Sequence, residues 1–154
     1  MEISIMQETL SQYKNGQIIF EYDIPRLGKR IDVVLLLGGI VFCLEFKVGE
    51  SKILEADIDQ VFDYALDLKN FHKFSRDKII VPILIATNYQ DSSTEIQMSV
   101  YDDLVVNPLV CGKTGIKKLI DNVLNRYPLE TPVNRDWIIS PYSPTPTIIE
   151  AAKS

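Results

Sequence analysis

The 154-residue chain contains one histidine and two cysteines, and each scarcity closes off a kind of chemistry. With His72 alone, no Ser-His-Asp or Cys-His catalytic arrangement can be assembled. His72 sits among lysines with no metal-ligand partner at hand, and we expect a surface residue. Cys43 and Cys111 are too few for a disulfide framework or a zinc cluster. Long hydrophobic runs are also missing. The apolar uncharged stretch Val33 to Leu44 is only twelve residues and carries Gly38-Gly39, whereas a membrane span needs about 20 apolar residues. No basic region precedes an apolar one at the start, so no secretory signal is expected and a cytoplasmic location is. Neither sign of charge dominates strongly: 16 basic and 21 acidic residues leave a net charge of −5, which by itself argues against nucleic acid. Gly112-Lys113-Thr114 lacks the glycine of a phosphate-cradling GxxxxGK[ST] loop, because Asn107 and then Pro108 stand there.

What is present is an ordinary globular composition, 46% hydrophobic and 24% charged, of a length suited to one compact domain. Three prolines fall in the first 127 residues and five between 128 and 146. That shift predicts a body over 1–127 followed by an extended tail or linker over 128–154, which Trp137, Ile138 and Ile139 could dock. Thr147 to Ser154 reads as the start of a helix. Within the body, Ile3–Tyr13 predicts a helix ended by Asn15-Gly16. Strands are expected at Gln17–Ile24, Arg30–Leu37 and Ile40–Val48, then a long amphipathic helix over Glu55–Phe74. Ile79–Ala86 reads as a strand buried on both faces. Leu104–Val110 is a further expected strand, and Ile116–Tyr127 the last helix. The fold class is α/β, a mixed central sheet flanked by helices.

Chemistry concentrates at one hairpin. Gly38-Gly39 is a two-residue turn that sets the register of the second and third strands. If Leu37 faces Ile40, opposed residues sum to 77 and Asp32 lies opposite Glu45, with Cβ atoms about 4.5–5.5 Å apart. Lys47 is two residues beyond Glu45 on the same face. Facing carboxylates repel, and a divalent cation between them removes the conflict.

Asp32 followed by Glu45-Phe46-Lys47 resembles the PD-(D/E)xK motif of restriction-endonuclease-like nucleases, whose core has a similar element order. On the next helix Gln60 and Tyr64, four apart and on one face, resemble the QxxxY motif of the branch related to bacterial recombination exonucleases. Glu21 resembles that branch's extra upstream acid. A four-residue loop from Pro25 to Gly28 would put it opposite Asp32, and a five-residue loop would turn it away. The span from Glu21 to Tyr89 is similar to nuclease domains that precede certain bacterial superfamily-one helicases. Pro144 to Ala152 resembles the run that leads into the helicase there.

The resemblance implies metal-assisted hydrolysis of DNA phosphodiesters. Asp32, Glu45 and the Phe46 carbonyl would hold Mg²⁺ or Mn²⁺, and Lys47 would orient the attacking water or stabilise the transition state. Gln60 and Tyr64 would position the strand, and Arg26, Lys29, Arg30 and Lys52 would contact phosphates. A fused helicase is the implied partner. Two plainer readings compete. Asp32 and Glu45 could be exposed strand residues in ordinary ion pairs with Arg30 and Lys47, worth roughly 0–1 kcal/mol. Alternatively, the chain could be an inactive nuclease-fold module that binds DNA or a partner protein.

Overall fold

In a computed structural model of the protein, residues 2–11, 13, 15–25, 28–91, 95–100, 104–129 and 131–142 are described. Helix α1 (Glu2–Leu10) leads into β1 (Gln17–Ile24), β2 (Lys29–Leu37) and β3 (Ile40–Lys47). Gly38 and Gly39, with φ of 59° and 78°, form the tight turn between β2 and β3, a conformation that side chains with a Cβ resist. Helix α2 (Glu55–Phe71) then crosses to β4 (Ile79–Ala86), followed by β5 (Leu109–Cys111) and α3 (Ile116–Arg126). The five strands form one sheet in the order β1-β2-β3-β4-β5. The first three are antiparallel, and β4 and β5 run parallel to β3. The α/β class and the mixed sheet flanked by helices are as expected.

Each face of the sheet buries its own core. On one side Ile5 and Met6 of α1 and Ile116, Leu119, Ile120 and Val123 of α3 pack against Val33, Leu35, Phe42 and Leu44. On the other, Tyr64, Ala65 and Leu68 of α2 pack against Val34, Leu36, Val41 and Cys43. All eight residues of β4 are buried, as a strand covered on both faces requires. Among the described residues no helix is long and apolar enough to cross a membrane.

The strand expected over Leu104–Val110 is instead two pieces. Val105 bridges Ile80, and β5 pairs with β4 only from Ile83↔Leu109 to Ile85↔Cys111. The offset between partners changes from 25 to 26, so one extra residue is taken up opposite Pro82. The N–H of Ile80 donates to Leu104 O at 2.9 Å, which puts position 82 on the same edge by strand alternation. Pro82 has no N–H to offer there, and the ladder is interrupted at that point.

Helix α2 stops at Phe71 rather than Phe74. His72 turns extended (φ −89°, ψ 109°), and Lys73–Ser75 form a 3₁₀ turn. His72 is not a surface residue as expected but fully buried. Its Nε2 donates to the Trp137 carbonyl at 2.8 Å, and its Nδ1 lies 2.9 Å from Ser75 Oγ. Burial lowers its pKa to about 4, against the opposing pull of the Trp137 carbonyl. The segment beyond residue 127 therefore docks through Trp137, which is fully buried, whereas Ile138 and Ile139 are exposed. Thr147–Ser154 and the Pro144–Ala152 run lie outside the described residues.

Gly112 has an ordinary φ of −89° but no room for a side chain: a Cβ there would lie 1.8 Å from the Tyr89 carbonyl oxygen. Its role is close packing of the β4 and β5 exit loops. Gly112→Ala should therefore lower stability by about 1–3 kcal/mol through forced backbone displacement, as read by chemical denaturation. An unchanged midpoint would show that the loops can separate at no cost.

Candidate metal centre

The β2–β3 ladder keeps the sum of 77 from Leu37↔Ile40 to Val33↔Leu44 and then ends. The next position in that register brings Asp32 and Glu45 together. Asp32 replaces the ladder with a side-chain bond, its Oδ2 accepting the Phe46 N–H at 2.8 Å. In a strand the carbonyl points to the same edge as the N–H of its own residue. The Phe46 carbonyl is thereby directed toward the Asp32 side, where no ladder pairing with β2 continues.

Glu45 is only 7% exposed. The plain reading of two exposed strand carboxylates is therefore not what the fold builds. Burial, then a hydrogen bond to Asp32 and its charge, push the Glu45 pKa up to about 8, with Lys47 pulling it down and Asp57 pushing it up. Glu45 Oε2 is buried without a hydrogen-bond partner. A buried, unsatisfied carboxylate oxygen is costly unless something cationic meets it. Tyr64, 3% exposed, faces the same pair: burial first, and then the charges of Glu45 and Asp32, raise its hydroxyl pKa to about 12.

Lys47 ends β3, where its carbonyl accepts the Thr87 N–H at 3.2 Å and the Glu50 N–H at 3.3 Å. These bonds tie the end of the strand to the β4 exit. The Lys47 ammonium lies 3.6 Å from Asp57 Oδ1 in the first turn of α2. Asp57 was not among the residues singled out from the sequence. The signal was available, since Asp57, Gln60 and Tyr64 recur at i, i+3 and i+7 on one helix face. Half-buried Gln60 lines a groove of about 680 Å³ together with Lys29, Asp57 and Tyr64.

The other candidates are not drawn into this group. Glu21 is opposite Asp32 in the β1–β2 register, whose partners sum to 53 across the four-residue loop. Its φ of 55°, however, places it in the left-handed region, and its exposed carboxylate lies 3.7 Å from Arg30. Arg30 is also exposed and donates from Nε to Asp23 at 2.9 Å; that bond, and then the charge of Asp23, hold its guanidinium pKa above the ordinary value. Lys52 is exposed in the β3–α2 loop, and Arg26 lies outside the described residues. The α2 groove is not basic: Asp57, Asp59, Asp63 and Asp67 line it beside Lys29.

Among the described residues no group of three or more His, Cys, Asp or Glu side chains stands together as a metal cluster. The protein's offer is two carboxylates and a main-chain carbonyl. That donor set suits a hard cation which keeps waters and takes the rest of its shell from a phosphate, as Mg²⁺ does. The unpartnered Glu45 oxygen fits this. No protein-family model, curated protein or solved structure matches the chain.

Proposed function

We propose that the protein is a divalent-cation-dependent nuclease domain of the PD-(D/E)xK kind, QxxxY branch, hydrolysing DNA phosphodiester bonds. The observation that carries this reading is buried Glu45, with its unsatisfied oxygen, beside half-buried Asp32, at the end of a hairpin whose next residue on that face is Lys47. Asp32, Glu45 and the Phe46 carbonyl would hold Mg²⁺ or Mn²⁺. The cation would supply an acidified water and offset charge on the phosphate. Asp32 is itself oriented by the Phe46 N–H, so the carboxylate is held before any ligand arrives. Lys47 places a positive charge beside the carboxylates, where it can bond a phosphate oxygen or the attacking water. Tyr64 and Gln60 form the wall on the α2 side, and exposed Lys29 and Lys52 would contact the backbone of the strand. In a longer protein, a helicase fused after the 128–154 segment would be the natural partner. A cytoplasmic location belongs to the same reading.

The test is digestion of linear duplex, circular duplex and single-stranded DNA, with Mg²⁺ and with chelator. Wild type should cleave only with the cation, and Lys47→Ala should lower the rate by about 10²–10³-fold. Activity on linear but not circular DNA would define an exonuclease. No cleavage, together with no Mg²⁺ or Mn²⁺ binding by calorimetry, would leave the inactive binding module as the correct reading.

A further inference from the structure

Lys47 and Glu45 share a strand face two residues apart, a distance an ammonium on a flexible four-carbon stem can cover. The buried Glu45 side chain with its unpartnered oxygen is an acceptor within reach of that lysine. Yet among the described residues Lys47 has one ion pair, and it is with Asp57, not with Glu45 or Asp32. Both partners of the Lys47–Asp57 pair are mostly covered, with side chains 32% and 21% exposed. It is therefore better shielded than an ordinary surface bridge. Asp57 is in turn held by its helix, its N–H donating to Leu54 O at 3.1 Å. Asp57 does not join the two carboxylates in a three-acid cluster, so it is not placed as a further ligand.

From these contacts we infer that Asp57 is a positioning residue that keeps Lys47 off the Asp32–Glu45 pair and so holds the cation site open. This rests on the nuclease reading for its purpose, but its geometry stands without it. With Asp57 intact, Lys47 waits at the rim of the site and the space between the carboxylates stays free for a cation. Without it, Lys47 folds onto Glu45 and takes the place of the ligand. Asp57 thus links the first turn of α2 to the charge balance of the β2–β3 hairpin.

The experiment combines crystal structures with Mn²⁺ calorimetry on wild type, Asp57→Asn, Lys47→Met and the double variant. In the Asp57→Asn crystal structure without metal, Lys47 Nζ should lie within about 4 Å of Glu45 or Asp32, the ion-pair distance. Asp57→Asn should weaken Mn²⁺ binding about tenfold or more, and by much less in the Lys47→Met background, where nothing can collapse into the site. A lysine that stays in place overturns the inference. So does an equal loss in both backgrounds, which would mark a simple through-space effect of one negative charge. If wild type binds no Mn²⁺, the nuclease reading fails, and the crystal structure alone decides what holds Lys47.

Discussion

Glu45→Gln should abolish cation-dependent cleavage, by about 10³-fold or more, while making the protein more stable. The two effects have one cause. Glu45 is buried beside Asp32 with an oxygen that bonds nothing, and these surroundings raise its pKa from an ordinary 4.5 to about 8. A raised carboxyl pKa means that folding favours the protonated form. The stabilising contribution of wild-type Glu45 is fully present below about pH 4.5 and is lost as pH rises through about 8. Glutamine does not titrate and can donate its amide to Asp32. The advantage of the variant should therefore be small in acid, grow across this window and level off above it. At neutral pH we expect about 1–3 kcal/mol in denaturant melts run with chelator. An inactive variant of unchanged stability would mean that Glu45 is solvated. A variant that retains full activity would remove Glu45 from the chemistry. A residue that costs stability in the resting protein and is needed for turnover is what a functional site predicts and a structural ion pair does not.

The hairpin that carries this site was readable from the sequence because its information is local. A two-glycine turn leaves one register, and strand alternation then places Asp32, Glu45 and Lys47 without any knowledge of the rest of the fold. The α2 stripe was readable for the same reason. What escaped depends on contacts between distant segments. His72 looked solvated among lysines, but Trp137, 65 residues away, supplies both an aromatic face and a carbonyl acceptor. Asp57 lies in the first turn of α2, and only the docking of α2 beside the end of β3 brings it to Lys47. The interrupted β5 needed the pairing edge of Pro82, which strand composition does not reveal. Glu21 is the most instructive case. Its loop length was read among two alternatives and its register followed, but a left-handed backbone at a non-glycine residue is set by tertiary fit, not by sequence pattern.

Trp137→Ala should destabilise the protein by about 3–5 kcal/mol, the most of any single truncation in the segment after residue 127. Its indole is fully buried against the α2 side of the sheet, with ring centroids 4.9 Å from Tyr22 and 4.2 Å from His72. Its polar atoms close a ring of hydrogen bonds. Trp137 Nε1 donates to Ser75 Oγ at 2.8 Å. The Ser75 hydroxyl is then the donor to His72 Nδ1, and His72 Nε2 donates back to the Trp137 carbonyl. Only the neutral imidazole completes that circuit. Trp137→Phe keeps most of the packing but removes the N–H, so it should cost less, about 1–2 kcal/mol. The circuit also gives acid sensitivity of definite sign. Since burial depresses His72 to about 4, its contribution is present above about pH 6.5 and is lost as pH falls through about 4. Stability curves of wild type and Trp137→Ala should therefore converge on acidification. Curves that stay parallel would mean the histidine takes no part in holding the segment. Tyr22, beneath the indole, pairs with Ile31 and precedes Asp32 by one step of the β1–β2 register. Loss of Trp137 should thus loosen the strand end that presents Asp32, and cleavage by the variant should fall at temperatures where the protein is still folded.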